Sequence, residues 1–108
     1  LVIFGHGYGM NRGNYSFFIE EIASHGYVVC KVMHTYVTEL TRFFDGTETN
    51  MEDLRPRTEQ MLDTCIQDIQ FMLSQLSTNT LVSMLTAHCT CNNIGIVGHS
   101  LGGIMTHN

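Results

Sequence analysis

The stretch Asn93-Ile94-Gly95-Ile96-Val97-Gly98-His99-Ser100-Leu101-Gly102-Gly103 constrains this chain more than any other. An apolar run leads into Gly98-x-Ser100-x-Gly102 and then into a small-residue helix start. That order reads as a nucleophile elbow, a sharp strand-to-helix turn that lifts a serine hydroxyl above the end of a sheet. The residues two before and two after such a serine must lack side chains so that the backbones can cross. Gly98 and Gly102 meet this demand, and Gly103 lets the helix pack closely. The competing interpretation is a βα turn of a nucleotide-binding sheet, but a phosphate loop carries a Lys before its Ser or Thr and this turn has none.

The rest of the chain supplies the sheet that such a turn needs. Leu1 to Phe4 is a continuous apolar run, suited to a buried parallel strand, and Gly5-His6-Gly7-Tyr8-Gly9 follows as a glycine-rich turn at its carboxyl end. The carboxyl ends of strands are where open α/β sheets bind ligands, so the backbone N–H of Tyr8 is a candidate oxyanion donor. Asn14 is expected to cap a first helix in which Tyr15, Phe18, Ile19, Ile22 and Ala23 form an apolar stripe against the core, with His25-Gly26 as its stop. Tyr27 to Met33 predicts a second buried strand with His34 at its carboxyl end. From Thr35 to Asp53 the periodicity dissolves into a long cleft-side loop or insertion. Within it, Phe43-Phe44 is expected to anchor the loop to the core, the alternative being contact with an acyl substrate.

A long crossover helix is predicted from about Leu54 to Leu76, capped by Asp53, with Leu62, Cys65, Ile66, Ile69, Met72, Leu73 and Leu76 on one face. Arg55 and Arg57 in its first turn oppose the helix dipole unless Asp45, Glu48 or Glu52 answers them. Leu81 to Leu85 can add a short helical segment before Cys91-Asn92-Asn93 turns the chain into the last strand. The alternation strand, helix, strand, helix, strand, helix start gives an α/β class with a three-stranded parallel sheet and right-handed crossovers. With the first and last strands adjacent, the amides of Tyr8 and Leu101 would converge on the hydroxyl of Ser100, as acyl transfer requires.

Charge and cysteine content narrow the partners. Five basic residues stand against ten acidic ones, a net charge of −5, and no Lys/Arg stripe follows a phosphate backbone, which argues against nucleic acid. No segment reads as a transmembrane span. Cys30 and Cys65 fall on buried faces, where thiols act as small hydrophobes. His88-Cys89-Thr90-Cys91 lacks the spacing and the second ligand pair of a zinc site, so neither metal nor other cofactor is expected.

Three segments together carry a family resemblance: Val2-Ile3-Phe4-Gly5-His6-Gly7-Tyr8-Gly9, Ser24-His25-Gly26-Tyr27-Val28-Val29 and the Ile94 to Gly103 elbow. In this order they resemble the α/β-hydrolase fold, and within it the platelet-activating-factor acetylhydrolase-like and dienelactone-hydrolase-like esterases and lipases. Arg57-Thr58-Glu59-Gln60 is similar to an Arg-x-x-Gln stretch of those acetylhydrolases. The resemblance implies a serine hydrolase of carboxylic esters, with lipid esters such as short-acyl phospholipids, or other small-molecule esters, as substrates. Ser100 would be the nucleophile and Tyr8 and Leu101 the oxyanion-hole amides, while His6, Gly7, Gly98, His99, Gly102 and Gly103 shape the two turns. Met33-His34-Thr35 departs from the acidic-His-Arg segment of those acetylhydrolases. The alternatives are a non-catalytic α/β-hydrolase-like binding protein and an acyltransferase using the same elbow.

In α/β-hydrolases the triad acid and histidine follow the serine in the chain. Here only Leu101 to Asn108 follow, and His107 lies about two helical turns on. Leu1 also opens inside an apolar run. Residues 1–108 are therefore expected to be one incomplete α/β-hydrolase domain ending just after the elbow. Such a piece is expected to be inactive and poorly folded alone, with the complete protein an esterase.

Overall fold

A computed structural model of the chain describes residues 1–11, 13–53, 58–78, 84, 87, 89 and 93–107. Its main sheet has three parallel strands, β1 (Val2–Gly5), β2 (Val29–Val32) and β5 (Gly95–Gly98), in the order β2-β1-β5. Ile3 is level with Cys30 on one side and Ile96 on the other, and Phe4 with Lys31 and Val97. The adjacency expected of the first and last strands is therefore present. β1 is the central strand and the most deeply buried: Ile3 and Phe4 have no more than 1% of their surface exposed.

Successive strand residues point to opposite faces, so the register assigns the helices. The face of Phe4 carries α1 (Ser16–Ser24), with the Phe4 and Phe18 rings packed in a tilted pair at 5.6 Å between centroids. The face of Ile3 and Cys30 carries α2 (Thr58–Thr78), where Cys30 Sγ meets Met72 Sδ at 3.9 Å. Cys65 and Ile69 of the predicted face of α2 are buried, and Met61, outside that predicted set, is buried with them one turn earlier. Met61 and Cys65 pack with Val37 and with Leu101 and Met105 of a short α3 (Leu101–Met105), which joins the elbow to the core. This is the partial doubly covered parallel sheet predicted for the α/β class.

Several local expectations are corrected. The first helix begins at Ser16, not behind an Asn14 cap. The Asn14 side chain accepts from the Asn11 amide at 2.7 Å, and the position before the helix is Tyr15, in a left-handed conformation at φ 71. No residue of α1 is buried, and Phe17 is 83% exposed, so its aromatic stripe lies across the sheet without being enclosed by it. The end of α1 is as expected: Gly26, at φ 87, donates to the Ala23 carbonyl.

The segment from Thr35 to Asp53 is not an irregular loop throughout. β3 (Leu40–Arg42) and β4 (Glu48–Asn50) form an antiparallel hairpin, closed by Phe43 N–H to the Thr47 carbonyl and by Gly46 at φ 87. Asp45-Gly46 is a turn signal for such a hairpin: the Asp45 carboxylate accepts from both the amide and hydroxyl of Thr47, and glycine accepts the positive φ. Phe43 and Phe44 therefore sit at the hairpin turn, exposed, and do not anchor the segment to the core. Val37 and Thr38 do that, being almost fully buried. Asp53 accepts from the Asn50 amide in a turn, and the long helix is described from Thr58, so the expected capping by Asp53 lies outside the described residues. The expectations for Arg55, Arg57, the Leu81–Leu85 segment apart from Met84, and the His88, Thr90 and Cys91 positions lie outside the described residues. Glu48 pairs with Arg42 across the hairpin. Among the described residues, no helix is long and apolar enough to cross a membrane.

Candidate active site

The site forms where β1 and β5 end side by side. β5 closes at Gly98, and His99 N–H still donates to the Gly5 carbonyl at 3.1 Å, so the two strands stay paired up to the turn. Ser100 then takes φ 55 and ψ −119, a region that side-chain-bearing residues rarely occupy, before α3 begins. The backbones cross here with no room for a side chain. A Cβ on Gly98 would land on the Gly102 carbonyl, and a Cβ on Gly102 would land on the Gly5 carbonyl. Gly103 is less constrained, its nearest contact being 3.4 Å from the Gly98 oxygen. Ser100 makes no side-chain capping hydrogen bond to the helix it starts, so its hydroxyl is not consumed there.

The glycine turn after β1 rests directly against this elbow. A Cβ on Gly7 would sit 3.4 Å from Ser100 Cβ, 3.3 Å from His99 Nδ1 and 3.1 Å from the Tyr15 hydroxyl. Tyr8 follows on the outer side, 42% exposed, and Leu101 is buried with its side chain in the core cluster. Among the described residues neither the Tyr8 nor the Leu101 amide donates to a backbone carbonyl, whereas the neighbouring amides do: Gly9 to Val37, Met10 to Gly7 and Gly102 to His99. Thus Ser100, His99, Gly98, Gly102, Gly103, Leu101, His6, Gly7 and Tyr8 come together as one cluster.

His6 is wholly buried and holds the turn from within. The amide of His34 can only donate, so His6 Nε2 accepts it, at 3.2 Å, and the ring proton lies on Nδ1, which donates to the Gly7 carbonyl at 2.7 Å. Burial, above all, keeps the His6 imidazole below its ordinary pKa of 6.5; the hydrogen bond to Gly7 opposes this, and the charges of His34 and Lys31 reinforce it. His34, also wholly buried and 5.3 Å from the His6 ring, donates from Nδ1 to Asp68 Oδ2 of α2 at 2.8 Å. Its Nε2 has no partner among the described residues.

Three further residues of this site stand outside the sequence motifs. Helical spacing puts Tyr15 in the apolar stripe, but its hydroxyl lies between Gly7 N and His99 Nδ1. His34 has a positional signal, standing at the carboxyl end of a strand. Asp68 has another, a carboxylate one turn after buried Cys65 on an otherwise apolar face. Beside it, burial and the Asp68 charge push the Cys65 thiol up to about 12, which makes it an inert core group. Among the described residues no cluster of three or more His, Cys, Asp or Glu side chains has the arrangement to hold a metal ion.

Comparison with known proteins gives the family and the fold. Residues 1–77 match the family described as platelet-activating factor acetylhydrolase, isoform II. A platelet-activating factor acetylhydrolase from Cavia porcellus is 28% identical over 95% of this chain and 30% of its own length. The solved structure of a ferulic acid esterase from Streptomyces cinnamoneus superposes with a TM-score of 0.79 at 27% identity, covering 98% of this chain and 31% of that one. The chain spans about a third of the length of these relatives.

Proposed function

This chain belongs to the platelet-activating factor acetylhydrolase, isoform II family, and from that premise we propose that it carries the nucleophile half of a serine carboxylic-ester hydrolase. The observation that carries the reading is Ser100, held at φ 55 on a glycine-walled crossing of strand and helix, so close to Gly7 that a Cβ there would lie 3.4 Å from Ser100 Cβ. Ser100 Oγ attacks the ester carbonyl carbon while a general base takes its proton. The carbonyl oxygen gains charge and is met by the N–H groups of Tyr8 and Leu101, each such donor contributing about 100- to 1,000-fold in kcat. The alcohol leaves, and water hydrolyses the acyl-serine by the same steps.

Of the described histidines, His6 bonds Gly7 and the His34 amide, His99 bonds Tyr15 and His25 bonds Glu21, while wholly buried His34 donates from Nδ1 to Asp68 and keeps an Nε2 with no partner among the described residues. The names of the matched proteins support ester substrates, and a short-acyl phospholipid ester is the first to test. Fluorophosphonate labelling of the full-length protein should give a Ser100 adduct that Ser100→Ala abolishes; labelling that persists undiminished in Ser100→Ala overturns the assignment. Nitrophenyl esters of graded acyl length, run beside a short-acyl phospholipid, then define the substrate.

A further inference from the structure

We infer that Tyr15 is a positioning residue that locks the oxyanion turn to the nucleophile elbow through one hydroxyl. This rests on the proposed roles of Ser100, Tyr8 and Leu101. The Gly7 amide donates to the Tyr15 oxygen at 3.3 Å, which leaves the phenolic proton to be donated to His99 Nδ1 at 2.8 Å. The two bonded groups flank the reacting parts: Gly7 immediately precedes Tyr8, and His99 immediately precedes Ser100. A single oxygen thus fixes the spacing between the turn that presents one proposed oxyanion amide and the elbow that presents the nucleophile and the other.

The surroundings hold that oxygen in place. Tyr15 is a non-glycine residue at φ 71, a conformation that persists only where neighbours over-determine it. Its ring packs against buried Phe4, tilted by 55° at 4.9 Å between centroids, and lies under Lys31 Nζ at 5.5 Å. The same ammonium donates to the carbonyls of Asn11 and Asn14, and the Asn11 side chain accepts from Gly13 and Asn14. The segment delivering Tyr15 is therefore tied to β2 and to itself. Acyl transfer is sensitive to this spacing because an oxyanion donor acts only within about 2.7–3.1 Å of where the charge develops.

The test uses the full-length protein and the ester substrate that supports Ser100-dependent turnover. Tyr15→Phe keeps the ring contacts and removes the oxygen; kcat should fall about tenfold with KM changed less than about twofold, near the upper range for one hydrogen bond. His99→Ala should fall similarly, and His99→Asn, whose side-chain oxygen can replace Nδ1 as acceptor, should recover most of the loss. Tyr15→Phe combined with His99→Ala should lose no more than either alone. A Tyr15→Phe enzyme with unchanged kcat, a loss confined to KM, or additive double-mutant losses overturns the inference while leaving Ser100 as nucleophile. Turnover that survives Ser100→Ala overturns both.

Discussion

Alanine at Gly102 and alanine at Gly103 are the same chemical change one residue apart, and the structure requires them to act oppositely. A Cβ at Gly102 falls on the Gly5 carbonyl and within 2.9 Å of the His6 oxygen. Both obstacles are backbone at the end of the central strand, where no side chain can rotate away, so α3 must move off β1. Overpacking against a rigid neighbour costs about 1–3 kcal/mol and sometimes more. We place Gly102→Ala at about 3 kcal/mol, because α3 also carries Leu101 and Met105 of the core cluster. At Gly103 the new Cβ meets the Gly98 oxygen at 3.4 Å, ordinary contact, and helical alanine is favoured over glycine by about 1 kcal/mol. Gly103→Ala should therefore be neutral or slightly stabilising. Urea unfolding of the two full-length variants, followed by circular dichroism, reads the difference, and fluorophosphonate labelling should slow in Gly102→Ala because Ser100 moves with the helix. Equal losses in the two variants, or a Gly102→Ala protein within about 1 kcal/mol of wild type, would refute the crossing geometry.

Two further outcomes follow from the buried histidines. Asp68→Ala leaves His34 Nδ1, at 0% exposure, without its acceptor and should cost about 1–2 kcal/mol in urea unfolding, while Asp68→Asn keeps an acceptor oxygen and should cost less. Equal stability of Asp68→Ala and wild type contradicts a structural role for that bond. Burial lowers the His6 pKa below 6.5, so on acidification the unfolded chain takes up this proton before the folded one. The contribution is fully present above 6.5 and is lost as pH falls from there toward the folded-state pKa, at no more than about 1.4 kcal/mol per pH unit. The melting temperature of the full-length protein should drop between pH 7.5 and 5.5, and drop less in His6→Asn; parallel drops would show that His6 is not the group responsible.

Local chemistry in the sequence determined the order of the three parallel strands and their helices, the glycine crossing and the serine at its apex. Apolar runs can be buried only in a sheet, and a Gly-x-Ser-x-Gly turn fits only where two backbones pass within a hydrogen atom's room of each other. Asp45-Gly46 was equally local, and the hairpin it closes was readable from that pair. The tertiary structure alone decided which side chains meet across those elements. Tyr15 looked like a stripe residue because helical spacing says nothing about a left-handed residue just before the helix. His34, Asp68 and His6 come from three elements 28 to 62 residues apart, and no spacing rule links them. Their contact depends on how α2 lies across β1 and β2, which is set by the packing of Met61, Cys65, Ile69 and Met72 and not by any one segment.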